Sequence, residues 1–170
     1  VLDFTGSYYH NYVGVSGAVA VNLLGFADFS GNLSFELFDV AGTDTIRIAA
    51  EDVTMAFNLS GSDPLLTFFN GRGGFVIRNG GTAATRGIVG TATLQFQTGF
   101  VNISGTITLE LNTTAAAANY SWTMPSGSPV TIALTQPNYL RVCVDGSVGV
   151  GTISVPVSFT VEESGGTLKF

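Results

Sequence analysis

Histidine and cysteine occur once each, as His10 and Cys143, and lysine and arginine together number only six in a chain of 170 residues. One Cys and one His cannot supply the ligand set of the usual tetrahedral zinc site. A lone cysteine also excludes an internal disulfide, so the chain is not a small bridged scaffold and its core must hold itself. Cys143 stands in the strand-like run Leu140-Arg141-Val142-Cys143-Val144, with no basic cluster beside it, and is expected to be an inert packed thiol. Six basic residues against 12 acidic ones, a net charge of −6 and a pI near 4.4 leave no electrostatic footprint for nucleic acid or an anionic membrane surface. No nucleic-acid partner is expected. Long apolar runs are missing as well: mean hydropathy is +0.40, yet no stretch reaches about 18 consecutive apolar residues, so no transmembrane segment of the helical kind is expected. The opening Val1-Leu2-Asp3-Phe4 has no initiator Met and no basic or apolar leader, and reads as a processed or excised piece.

Helical periodicity is absent too, whereas period-two alternation is unusually clean. In 100–111 the odd positions Val101, Ile103, Gly105, Ile107, Leu109 and Leu111 are apolar or Gly, and the even ones from Asn102 to Glu110 are polar. In 152–162 Ile153, Val155, Val157, Phe159 and Val161 alternate with Thr152, Ser154, Ser158, Thr160 and Glu162. The same rule places strands near 12–22, 26–38, 44–57, 64–69, 73–78, 87–97, 119–123, 130–134, 139–148 and 167–170. Turns are expected at Asn70-Gly71, Asn79-Gly80-Gly81, Pro125-Ser126-Gly127 and Asp145-Gly146. About twelve strands and essentially no helix predict an all-β fold, an antiparallel β-sandwich or a stacked β-hairpin array, as one module over 1–170. Phe35, Ile107, Leu109, Val157 and Phe159 lie on the apolar parity and are expected in the core.

Three segments share one hairpin pattern, near 13–48, 87–114 and 142–170. Each ends a strand on a glutamate: Glu36, Glu110 and Glu162. The stretch Gly166-Thr167-Leu168-Lys169-Phe170 echoes Gly42-Thr43-Asp44-Thr45-Ile46-Arg47-Ile48, so the last third restarts the first. Glu36 and Glu162 stand 126 residues apart, which reads as the period of a larger array.

The runs Gly42–Phe57, Gly87–Thr114 and Tyr139–Glu162 resemble the long degenerate β-repeats of very large, secreted, repetitive bacterial proteins described as adhesin-like. That resemblance covers most of the chain and brings no catalytic or binding residue with it. It implies an extracellular, surface-attached, array-forming role, with copies of the chain or neighbouring repeats as partners.

Constellations for chemistry are few. A Ser-His-Asp triad would have to use His10, and no G-x-S-x-G elbow exists. Glu36, Glu110 and Glu162 sit on polar strand faces, where recurrence is better explained by solubility and edge protection than by a paired-carboxylate mechanism. No catalytic residue, no cofactor site and no enzyme activity are expected. Calcium is the one ion the composition leaves open, through Asp39, Asp44, Glu51, Asp52 and Asp63, although no acidic calcium loop is present. The run Asn70-Gly71-Arg72-Gly73-Gly74 precedes a strand rather than a helix and is expected to be a turn, not a phosphate cradle. Five asparagines stand in N-x-S/T and are candidate sugar acceptors: Asn32, Asn58, Asn102, Asn112 and Asn119. Tyr8, Tyr9, Tyr12, Tyr120 and Trp122 are candidates for stacking on saccharide rings, the basis of an alternative expectation, a carbohydrate-binding adhesive module whose partner is surface polysaccharide. The leading expectation is a non-enzymatic structural module of an extracellular fibre or cell-surface array.

Overall fold

Alternating residues pair as extended strands wherever the pattern runs long enough to fill a ladder. The structure, a computed structural model, describes residues 13–23, 27–39, 43–57, 64–82, 84–99 and 102–170. Among these the chain forms eleven strands and no helix. They are β1 (Val13–Leu23), β2 (Ala27–Asp39), β3 (Asp44–Phe57), β4 (Leu66–Asn79), β5 (Gly87–Thr98), β6 (Asn102–Asn112), β7 (Ala118–Thr123), β8 (Pro129–Leu134), β9 (Tyr139–Val150), β10 (Ile153–Ser164) and β11 (Thr167–Lys169). Nine of them make one sheet in the order β1-β2-β3-β4-β5-β6-β9-β10-β11, and β7 and β8 make a separate two-stranded hairpin. Every pairing is antiparallel, as the alternation predicts. The three recurring segments each contribute a hairpin to the large sheet: β1–β2, β5–β6 and β9–β10.

Two expected turns are strand interior instead. Segments 64–69 and 73–78 are one strand, β4, because Asn70 takes a left-handed backbone (φ 52°) and absorbs an extra residue as a bulge. The register of β4 against β5 slips between Phe69 and Arg72 at that point. Asp52 does the same on β3 (φ 53°), so neighbouring strands bend together. The Gly-rich run 70–74 is therefore neither a turn nor a loop. Asp145-Gly146 also lies inside a strand: Gly146 faces Gly105 of β6 and Val157 of β10. A Cβ on Gly146 would stand 2.5 Å from the Ser104 carbonyl oxygen, so this glycine permits close backbone approach rather than reversal. Reversal comes later, at Gly151 (φ 62°).

Residues directly opposite each other in a sheet share a face. One such row reads Glu36–Arg47–Val76–Val89–Asn112–Tyr139, and the next reads Ser34–Ala49–Gly74–Thr91–Glu110–Arg141–Glu162–Lys169. This is the polar face. On the other side lie rows such as Phe35–Ile48–Phe75–Gly90–Leu111–Leu140 and Leu33–Ala50–Gly73–Ala92–Leu109–Val142–Val161. That is the apolar face.

The β7–β8 hairpin packs on the polar face. Its inward residues Ala118, Trp122, Val130, Ile132 and Leu134, with Met124 at the turn, are buried against Ala49, Val76, Val89 and Tyr139. These contacts form the core cluster. Gly74 marks the point of closest approach, since a Cβ there would meet Val130 Cγ1 at 2.4 Å and the Trp122 ring at 2.9 Å. The expected core is thus corrected. Phe35, Val157 and Phe159 are 39%, 43% and 52% exposed. Ile107 and Leu109 are only half-buried. All five lie on the apolar face, whereas the second layer of strands covers the other one.

Candidate functional site

The polar face carries nearly all the strand charge among the described residues, and a cleft opens on it. Glu36 and Arg47, opposite each other on β2 and β3, form an ion pair of 3.0 Å. Across the far side of the sheet Glu110, Arg141, Glu162 and Lys169 follow one another on β6, β9, β10 and β11, acid next to base at each step. Glu110 and Arg141 approach to 3.7 Å, and Glu162 and Lys169 to 3.4 Å. The three recurring glutamates are therefore each matched by a base on a neighbouring strand. They do not converge in a cleft as a catalytic pair would.

Tyr139, buried beside this row, donates its hydroxyl hydrogen to Glu110. Burial and the adjoining carboxylate push its phenol up to about 12, because the phenolate would be both desolvated and repelled. No base is produced by that shift; it locks the phenol in its donor form.

A cleft of about 780 Å³ opens where the bulges of β3 and β4 leave space beside the hairpin. Glu51, Asp52, Asn70, Arg72, Thr93 and Gln95 line it. Asn70 Nδ2 donates to Gln95 Oε1 at 2.7 Å, tying the bulge to β5. Hydrogen bonds from Ser126 and Ser128 at the hairpin tip hold the Glu51 carboxyl below its ordinary value. A general acid needs the opposite shift. Neither histidine nor cysteine is among the residues that line the cleft; its polar groups are carboxylates, amides, hydroxyls and the Arg72 guanidinium.

A smaller cavity of about 220 Å³ lies under Tyr120 and Trp122, against Phe38, Thr45, Arg47 and Arg78. The Arg47 guanidinium carbon is 4.3 Å from the Phe38 ring centre and 5.7 Å from that of Trp122. Trp122, only 9% exposed, is thus engaged with the sheet. It is not available as a saccharide platform, which corrects that expectation. Tyr120 is half-buried beside it, and Tyr8, Tyr9 and Tyr12 lie outside the described residues.

The candidate sugar acceptors divide sharply. Asn102 and Asn119 are exposed on β6 and β7, Asn32 is half-buried on β2, and Asn58 lies outside the described residues. Asn112 is wholly buried. Its Nδ2 donates to the carbonyls of Ala116 (2.9 Å) and Gln136 (2.8 Å), and its Oδ1 accepts from the backbone N–H (3.0 Å) and hydroxyl (2.7 Å) of Thr114. That corrects its place among acceptors: the amide nitrogen has no room and no free hydrogen-bonding role for a sugar. Asn112 instead fixes both ends of the 113–138 connection that lays the hairpin over the sheet. A hint was present in sequence, since Ala49, Val76 and Val89 interrupt the polar parity where the hairpin lands.

The calcium candidates are not brought together. Asp39 and Asp44 face each other at the β2–β3 turn, whereas Glu51 and Asp52 stand at the bulge, about 23 Å further along β3 at strand rise. Asp63 and His10 lie outside the described residues. Among the described residues no three His, Cys, Asp or Glu side chains form a metal-sized group. Cys143 is half-buried in β9 with its Sγ 3.3 Å from Thr160 Oγ1. No helix among the described residues is long and apolar enough to cross a membrane. No family model matches the chain, and neither a curated protein nor a solved structure matches it.

Proposed function

We propose that the chain is a non-enzymatic structural module of an extracellular fibre or cell-surface array, joined through its sheet to copies of itself or to neighbouring repeats. The observation that carries this reading is the recurrence of a three-stranded unit inside one sheet. In β1-β2-β3 the glutamate of the middle strand pairs with a base on the third, Glu36 with Arg47. In β9-β10-β11 Glu162 pairs with Lys169 in the same way. Because β9 hydrogen-bonds to β6, the second unit extends the sheet laid down by the first. A sheet that restarts its own pattern at its margin is a sheet suited to continuation. At the other margin among the described residues, β1 presents eleven residues without a charge, and an uncharged edge does little to discourage pairing.

Electron microscopy of the purified chain tests this. Negatively stained filaments are expected, and truncation at Gly151, which removes β10 and β11, is expected to abolish them. Truncated protein that forms filaments of unchanged width and stability, or an intact chain that stays dispersed at every concentration, would sink the proposal.

A further inference from the structure

All strands of the large sheet expose the same kind of residue on the apolar face, and the second layer lies on the opposite side. The described connections and the β7–β8 hairpin supply no second sheet for it. Val15, Phe35, Ile88, Leu140, Val157 and Phe159 of this face are each more than a third exposed. The eight long strands of this sheet, at ~4.8 Å spacing and with about five alternate residues at ~6.6 Å along each, give a face of roughly 40 Å by 30 Å. The projected area, on the order of 1,200 Å², exceeds the ~800 Å² that one partner contributes to a standard interface.

Charge decides what fits there. Away from the cleft and the strand ends, the strand charges, among them Glu36, Arg47, Arg78, Glu110, Arg141 and Glu162, lie on the polar rows, so burying the apolar face desolvates none of them. The apolar rows carry only Asp39, Asp44 and Glu163, all toward the end where the chain turns from β2 to β3 and from β10 to β11. A bilayer is a poor occupant: β1 has a strand on one side only among the described residues, and hydrocarbon does not tolerate an open sheet edge. The aromatic side chains of this face are all phenylalanine among the described residues, whereas membrane-facing sheets carry tyrosine and tryptophan at the interface.

We infer that the apolar face is the contact surface for a second copy of this chain, the two sheets packing face to face about a two-fold axis that runs across the strands. Such an axis reverses strand direction, so the acidic ends of the two copies lie at opposite margins. An axis along the strands would stack them against each other. Packed sheets also keep their strands within about 30° of a common line, which this arrangement satisfies. Taking the partner to be a copy rests on the module reading given under Proposed function, while the surface itself is separate from the edges on which that reading turns.

Sedimentation of the detergent-free chain is the test. The intact chain is expected to sediment as a dimer or larger, and Ile107→Asp, in the middle of the face, should weaken association by at least about tenfold. Trp122 emission reports hairpin docking on the other face and should stay unchanged. If Ile107→Asp shifts that emission and so unfolds, Val157→Asp at a more exposed position of the same face supplies the measurement. Association that survives the folded variant, or an intact chain that is monomeric throughout, overturns the inference. So does flotation of the intact chain with phosphatidylcholine vesicles that Ile107→Asp abolishes, because lipid would then be the occupant. Filaments that persist in the variants with unchanged mass per length would leave the module reading standing and remove this one; face-dependent dimers without filaments would do the reverse.

Discussion

The two faces of the large sheet divide the molecule's work in the opposite sense from their composition. The polar face, built of Ser, Thr, Glu and Arg, is the one that carries the buried cluster, because a 26-residue connection (113–138) folds an amphipathic hairpin onto it. The apolar face, built of Val, Ile, Leu and Phe, is left half-exposed. Hydropathy of a strand face therefore says how favourable its burial would be and not what lies against it. Three small or branched residues on the polar parity, Ala49, Val76 and Val89, suffice to seat Trp122, Val130 and Ile132.

Substitution of one isoleucine on each side sets the contrast most strongly. Ile132 is fully buried under the hairpin, so Ile132→Ala removes a packed side chain and leaves a cavity, at a cost of about 4 kcal/mol. Ile107 is half-buried on the apolar face, and Ile107→Ala in dilute solution should cost about 1 kcal/mol, since much of its surface already meets water. Urea unfolding of the two variants reads both numbers, and equal losses would mean that the apolar face is covered within a single chain.

The hairpin connection gives the next effect in size. Asn112→Ala strands the Gln136 carbonyl and the buried Thr114 backbone N–H, while the Thr114 hydroxyl still donates to the Ala116 carbonyl (2.9 Å), at a combined cost of about 3 kcal/mol. Loss of the hairpin should precede loss of the sheet, so a Trp122 emission change that runs ahead of the far-ultraviolet dichroism transition is the expected signature. Asn102→Ala, at an exposed position that also matches N-x-S/T, should leave both unchanged.

The strands themselves were legible because alternation is a local property: segments near 87–97, 119–123, 130–134 and 139–148 fall on β5, β7, β8 and β9 to within a few residues. What misled was punctuation. Asn70-Gly71 has the composition of a hairpin turn, and the same tolerance of left-handed backbone that makes such turns also makes a bulge inside a long strand. Whether the next residues turn back or run on depends on β5 offering a ladder beside them, which no local pattern encodes. Asn112 hides for a related reason. Its motif is a three-residue match, while its role depends on Ala116 and Gln136 at the two ends of a connection. Pairing of the recurring glutamates with Arg47, Arg141 and Lys169 likewise appears only once register is known.

Alkaline pH separates the faces by a different route, because Tyr139 belongs to the polar one. Its phenol is raised from 10.0 to about 12 in the folded chain. A group whose folded value is raised stabilises the fold fully below the unfolded value, and that contribution fades as pH climbs through the folded one. Stability should accordingly hold to near pH 10 and then fall between about 10 and 12. Tyr139→Phe, which has nothing to ionise, should lose this part of the alkaline slope in chemical denaturation. An unchanged slope would assign the loss to other groups.

Glu51 supplies the smallest and most local effect, at the tip of the hairpin. Ser126 and Ser128 donate to its carboxylate and lower its value, so the sign is the reverse of that for Tyr139. The stabilisation is present above the unfolded carboxyl value and is lost as pH falls through the lowered folded one. Because Glu51 is only half-buried, water and salt still screen the contact, and the change should be confined to the turn rather than spread to the sheet. Hydrogen exchange is the suitable readout: the Gly127 amide, bonded to the Met124 carbonyl at 2.8 Å, should exchange faster once pH falls below the ordinary carboxyl range, while amides of β4 and β5 keep their protection after correction for intrinsic rate. Glu51→Gln should show the faster tip exchange already at neutral pH and lose its pH dependence. If the tip of the unmodified chain keeps full protection in acid, the two serine hydroxyls are not what fastens the hairpin to the bulge, and the packing of Trp122 and Val130 over Gly74 holds that end unaided.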